Sequence, residues 1–186
     1  MQKIGAGEEN EIMFYFVVTL SIALIILFSL IFHTLKNGIS PMPTSEKAKR
    51  ALFDVLPDLD DGIIIDLGSG WGNLIFPLAS RYRNCHVFGY ENSPVPYWFS
   101  SLINHKKNLK IKRSNFFNVP LHDANMVVCY LFPKGMDQLK AKFEKELRAG
   151  THVISHTFAI PGWSPKTVIE VNDLHNSKIY LYEVPN

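Results

Sequence analysis

The sequence predicts an α/β fold: a seven-stranded, mostly parallel sheet with helices on both faces, preceded by a single apolar helix. Three observations predict it. Short β-rich runs alternate with helix-period segments beyond about residue 45, the first of those runs opens into a glycine-rich turn, and a long apolar stretch precedes them all. The last two runs lie close together, which implies an antiparallel end to the sheet.

The apolar stretch runs from Ile12 to Phe32, 21 residues interrupted only by Thr19, Ser21 and Ser29. At about 1.5 Å per residue it spans about 30 Å, the depth of a hydrocarbon core. A cleaved leader fits less well, because the run exceeds a typical leader core, lacks a basic flank before it and shows no small-x-small site after it. The expected organisation is a tail at 1–11, a retained transmembrane helix at 12–32, a linker at 33–44 and a domain at 45–186. Lys3, Glu8, Glu9 and Glu11 precede the helix, whereas Lys36, Lys47, Lys49 and Arg50 follow it against Glu46 alone. That asymmetry predicts a single-pass membrane protein with its domain on the cytoplasmic or equivalent organellar side. From Lys36 to Pro43 the linker is eight residues, a reach of at most about 28 Å, which keeps the domain near the bilayer.

The domain's elements follow in order. A helix is expected over Ser45–Val55, a strand over Ile63–Asp66 and a helix over Leu74–Tyr82, where Pro77 is tolerated only in the first turn. Next come a strand at His86–Tyr90, a helix at Pro96–His105 and strands at Leu109–Lys112 and Met126–Leu131. The helix at Gly135–Arg148 carries the stripe Met136, Leu139, Phe143 and Leu147 and ends before Gly150. Strands at His152–His156, Thr167–Val171 and Lys178–Glu183 complete the sheet.

Composition narrows the function. About 150 residues beyond the anchor make one domain with a real core and leave no room for a separate substrate domain. The net charge is +2 and the basic residues are scattered, so no nucleic-acid partner is expected. Cys85 and Cys129 lack metal-ligand spacing, and the seven histidines show no ligand pairing, so no metal site is expected.

Residues 62–72 read Gly-Ile-Ile-Ile-Asp-Leu-Gly-Ser-Gly-Trp-Gly. The glycines permit positive φ and let a ligand lie against the backbone, which is how a Rossmann-like sheet prepares its first turn for an adenosyl cofactor. A dinucleotide fingerprint would place its third glycine where Asn73 stands. Asp66 would oppose a phosphate but suits a ligand bearing an ammonium and a sulfonium; its alternative role is to cap the next helix. In such sheets ligands sit beyond the carboxyl ends of the strands. Glu91, ending the second strand 19 residues after Gly72, is placed to accept from ribose hydroxyls. Asn115 and Phe116, after the third strand, suit the edge and face of adenine, although Phe116 and Phe117 also read as core.

The compressed glycine turn with its preceding acid resembles motif I of class I S-adenosylmethionine-dependent methyltransferases. A closer resemblance rests on Tyr130-Leu131-Phe132-Pro133, the run from Lys142 to His156, and Pro161-Gly162-Trp163-Ser164-Pro165. These resemble a group of small protein lysine methyltransferases that includes membrane-anchored mitochondrial enzymes acting on the c-ring protein of ATP synthase and the adenine nucleotide translocase, and an archaeal relative. Ser40-Pro41-Met42-Pro43-Thr44 resembles the Pro-x-x-Pro-Thr stretch that approaches the cofactor in that group. The similarity covers about residues 38–172 and departs at Trp71 and Asn73, where many relatives carry an acid and an arginine. It implies S-adenosyl-L-methionine as cofactor, held by Thr44, Asp66, Gly68, Ser69, Gly70, Gly72, Glu91, Asn115 and Phe116, and lysine methylation of a membrane protein. Tyr130 is expected to orient the amine in a slot formed with Phe132, Trp163 and His156; Phe132 and Trp163 read equally as hydrophobic closures of the sheet edge. A lipid or lipophilic small-molecule acceptor, and a non-catalytic cofactor-binding module, are the alternatives.

Overall fold

The computed structural model describes residues 6–37, 44–131 and 133–185. The chain divides into two compact units, Met1–Gly38 and Ile39–Asn186. The first is helix α1 (Ala6–Asn37), whose segment Gly7–Leu35 is long and apolar enough to cross a membrane. It outruns the predicted span at both ends, with Glu8 and Glu9 in its first turn, where carboxylates favour a helix. The Thr19 hydroxyl donates to the Tyr15 carbonyl at 2.8 Å, so this polar interruption is satisfied within the helix itself.

In the second unit, Ser45 opens α2 (Glu46–Asp54) by accepting from the Ala48 N–H at 3.1 Å. There follow β1 (Ile63–Leu67), α3 (Ile75–Arg81), β2 (His86–Glu91), α4 (Pro94–Leu102) and β3 (Leu109–Arg113). A short 3-10 turn (Phe116–Asn118) leads to β4 (Met126–Cys129), α5 (Pro133–Glu146), β5 (His152–His156), β6 (Thr167–Glu170) and β7 (Lys178–Glu183). The sheet order is β3-β2-β1-β4-β5-β7-β6, parallel from β3 to β5 and antiparallel through β7 and β6. Chain order reverses between β1 and β4, which creates a cleft at their carboxyl ends.

β4 is shorter than its sequence suggests. Cys129 pairs with Leu67 of β1 and Ser155 of β5; beyond Leu67 the chain turns away at Gly68, so Tyr130 and Leu131 lose their ladder on that side. Pro77 falls in the first turn of α3, where its missing N–H costs nothing.

Alternation along the strands splits the core into two clusters. One packs Ile64, Met126, Ile154 and Ile179 against Leu52 of α2 and Ile75 and Leu78 of α3. The other packs Leu67, Val127, Val153 and Tyr182 against Met136, Leu139 and Phe143 of α5. Asn108 closes the end of α3, its amide donating to the carbonyls of Ala79, Tyr82 and Cys85 at 3.0, 3.0 and 3.3 Å. Because Phe143 is fully buried, Phe143→Ala is expected to destabilise the domain by about 3–5 kcal/mol, read from the urea midpoint of near-UV circular dichroism.

Candidate active site

The glycine turn is stapled to the end of β2. The N–H groups of Gly68 and Ser69 both donate to the Tyr90 carbonyl, at 2.8 and 3.1 Å. One Glu91 carboxylate oxygen accepts from the Gly70 N–H at 2.8 Å and the other from the Ser93 N–H at 2.7 Å. Each oxygen retains a second lone pair, enough to receive two hydroxyls of a sugar edge.

The glycines serve different ends. Gly68, Gly70 and Gly72 all adopt positive φ, +87°, +53° and +95°. A methyl at Gly72 would lie 2.1 Å from the Phe76 ring, so packing demands that glycine. At Gly70 the nearest atom would be the Gly68 carbonyl at 3.9 Å, and at Gly68 the Leu131 side chain at 4.0 Å, which leaves an open cradle along the turn. Sequence reasoning passed over Gly89, where a methyl would meet Ile75 at 2.4 Å and the Ser69 hydroxyl at 2.8 Å. A glycine inside a strand run was the available signal. The Ser69 hydroxyl is buried with no hydrogen-bond partner among the described residues. Open glycines, a buried diol-accepting carboxylate and an orphan hydroxyl fit an adenosyl ligand.

Asp66 is 4% exposed and does not cap α3, whose N-cap Leu74 makes no side-chain bond. Burial, with a smaller contribution from the Glu91 charge, raises its carboxyl to about 7. A cationic ligand nearby would reverse that cost. Asn115 is exposed and commits its carbonyl to the Phe117 N–H at 3.1 Å, capping the 3-10 turn. Phe116 is half-buried against Phe117, ring centroids 4.6 Å apart, and packs on the second cluster.

Tyr130 and His156 come together at the ends of β4 and β5, centroids 4.2 Å apart. His156 is 2% exposed, and neither ring nitrogen has a hydrogen-bond partner among the described residues. Burial lowers its pKa to about 4, against a weaker upward pull from Asp173. Thr157, which follows, holds φ of +71°, a strained value for a β-branched residue. Its N–H donates to the Lys178 carbonyl at 2.6 Å, and the Phe158 N–H donates to the His156 carbonyl at 2.9 Å.

Thr44 is buried, beside Ser45, whose hydroxyl donates to Asp173 at 2.7 Å. That bond, with the Ser177 N–H, holds the Asp173 carboxyl well below the usual range. Asp173 carried no signal in the sequence. The Trp163 ring packs on Phe143 and Tyr182 in the second cluster, centroids 6.1 and 5.9 Å away, and its indole N–H donates to Glu144 at 3.3 Å. Phe132 and residues 38–43 lie outside the described residues.

The doubly wound sheet and its adenosyl-type turn define a class I S-adenosylmethionine-dependent methyltransferase. The profile of the ANTKMT methyltransferase domain matches residues 66–167, and the chain belongs to that family. It is 36% identical over 149 residues to a protein-lysine N-methyltransferase of Saccharolobus islandicus (strain REY15A), covering 77% of this chain and 92% of the relative. It is 28% identical over 131 residues to the adenine nucleotide translocase lysine N-methyltransferase of Mus musculus, across 66% of this chain and 54% of the relative, so it spans about half the mouse protein's length. An RNA methyltransferase from Salinibacter ruber, solved with S-adenosyl-L-homocysteine, shares the fold, with a TM-score of 0.67 and 23% identity over 78% of this chain and 95% of that one.

Gly70→Val should abolish cofactor binding in calorimetry while the protein stays folded, and Glu91→Ala should weaken it by about 1.5–3 kcal/mol. Affinity should also rise between pH 6 and pH 8, because Asp66 titrates near 7 and only its ionised form attracts the cation; Asp66→Asn should flatten that profile. The unliganded protein should behave oppositely at this residue. An acid whose folded pKa is raised loses stabilising protonation as pH climbs from 3.8 through about 7, whereas neutral His156 costs stability as pH falls from 6.5 toward 4.

Proposed function

We propose that this enzyme methylates a lysine side chain of a membrane protein, working from the bilayer through a retained helix at 12–32 with its domain on the cytoplasmic or equivalent organellar side. The observation that carries the reading is the register of β1 and β4. Leu67 faces Cys129, so the next residues are Gly68 of the cofactor turn and Tyr130. Tyr130 therefore follows the last β1–β4 pair, as Gly68 does, at the carboxyl ends of the strands where ligands sit in such sheets. The relatives' lysine specificity, the apolar helix and the short linker support the substrate class.

Bound S-adenosyl-L-methionine would supply an electrophilic methyl on its sulfonium, and a neutral amine would displace S-adenosyl-L-homocysteine in line, the N–C bond forming as the S–C bond breaks. Asp66, the Gly68–Gly72 turn and Glu91 hold the cofactor, with Thr44, Ser69, Asn115 and Phe116 completing its site. Tyr130 orients the amine through its hydroxyl, and placement supplies much of the barrier reduction. His156 walls the slot as an uncharged ring, since it stays neutral above about pH 4. It therefore does not repel an incoming ammonium. Lysine, with a reference pKa of about 10.4, is helped to lose its proton by desolvation in that slot.

Tyr130→Phe should lower turnover more than cofactor affinity, and the rate should climb with pH until the bound lysine is deprotonated. Mass spectrometry of membranes incubated with active enzyme should find a lysine gaining methyl groups. Label confined to lipid would replace the substrate class, and cofactor binding without transfer would leave a sensor. Cysteine accessibility should place the C-terminal domain inside; labelling from the outer side would refute the orientation.

A further inference from the structure

Helix α4 turns its apolar side outward. Its buried positions are Pro96 and Ser100, whereas Trp98, Phe99 and Leu102 are 66%, 47% and 81% exposed, and Ile103 just beyond is 41% exposed. Trp98 and Leu102 stand one turn apart with Phe99 beside them, so a single helix face carries all three. An ordinary surface helix has the reverse polarity. Trp71 of the cofactor turn extends the face through an edge-on contact with Phe99, centroids 5.5 Å apart. The charge that follows in the chain has one sign. Between Glu91 and Asp123 the chain carries no Asp or Glu, yet Lys106, Lys107, Lys110, Lys112 and Arg113 follow the helix. The last three belong to β3, which packs against α4.

We propose that α4 is a bilayer-contact surface, with Trp98, Phe99 and Leu102 entering the interfacial region of a membrane that bears anionic lipid and the Lys106–Arg113 segment meeting its headgroups. The proposal rests on reading residues 12–32 as a membrane anchor. The segment 38–45 between α1 and α2 is eight residues, a reach of at most about 28 Å, so a surface both apolar and anionic is within range of the domain. Aromatic and leucine side chains partition into the boundary between headgroups and acyl chains, and lysines are drawn by the negative surface potential. A nucleic acid would satisfy the lysines but leave Trp98 and Leu102 in water. Lipid contact at Phe99 is one side chain away from Trp71, between Gly70 and Gly72, so docking orients the domain with its cofactor turn close to the membrane surface.

The test uses the full chain in phosphatidylcholine nanodiscs with and without phosphatidylglycerol. An environment-sensitive fluorophore is placed on Leu102→Cys, on Val168→Cys of the opposite edge strand, or on Phe16→Cys in the anchor; Cys85 and Cys129 are buried. In anionic discs the Leu102 probe should shift to the blue and be quenched by nitroxide lipid about threefold more than the Val168 probe. That excess should shrink as salt rises from about 0.05 to about 0.5 M, and also in a Lys107→Glu/Lys110→Glu background. Equal quenching at Leu102 and Val168 overturns the proposal. So does a Leu102 signal that arises only after a lysine-bearing membrane protein is added, which would assign the face to a protein partner. The Phe16 probe reads the anchor separately: if it alone is quenched, only the α4 contact fails, and if it is not quenched, the anchored reading fails.

Discussion

The Glu91 carboxylate is the constraint on which the site depends. By accepting the N–H of Gly70 with one oxygen and that of Ser93 with the other, it ties the glycine turn to the start of α4. Hydrogen bonds to a charged acceptor are the stronger kind, and this one is 7% exposed, so the turn is held without help from a ligand. The Tyr90 carbonyl adds two more N–H partners from the turn. The turn is thus ordered by the protein's own hydrogen bonds, and a ligand seated on it would meet little ordering cost.

The same carboxylate sets the electrostatics beneath the turn. Asp66 sits in the dry end of β1 beside that negative charge, and its ionisation is pushed up to about pH 7 by burial first and that charge second. At the far end of the cleft His156 is kept neutral by the same dryness. Burial thus disfavours the charged form of both groups, raising the acid's pKa and lowering the imidazole's. The Ser69 hydroxyl and both His156 nitrogens have no hydrogen-bond partner among the described residues, which is costly in a finished core and expected in a site that completes itself with ligands.

Trp163 helps to fix the loop that follows β5. The loop after His156 begins with the strained Thr157 and must be fixed if that strain is to persist. The Tyr182 hydroxyl accepts from the Ile160 N–H at 3.0 Å, and Trp163 packs on Tyr182 and Phe143. The second cluster thereby clamps the loop that follows His156 at the end of β5.

Much of this was legible in sequence. Period-two runs and helix-period stripes located all seven strands and the helices between them, because burial on one or both faces imposes those periods wherever the elements pack. The turn was legible because positive φ at three alternate positions admits few residues besides glycine. The neighbourhood of each side chain was not. That Gly72 answers to Phe76 while Gly70 faces open space, that Asp173 reaches Ser45, and that Trp163 sits with α5 all depend on contacts between segments far apart in the chain. Nor did periodicity expose the outward face of α4: that Pro96 and Ser100 are buried while Trp98, Phe99 and Leu102 are exposed was decided by the fold. The sequence by itself determined the order of elements and the chemistry of the first turn, both local consequences of residue type and spacing. Only the tertiary structure decided which apolar residues are core and which polar groups are left unpaired, because burial belongs to the packed assembly rather than to any segment of it.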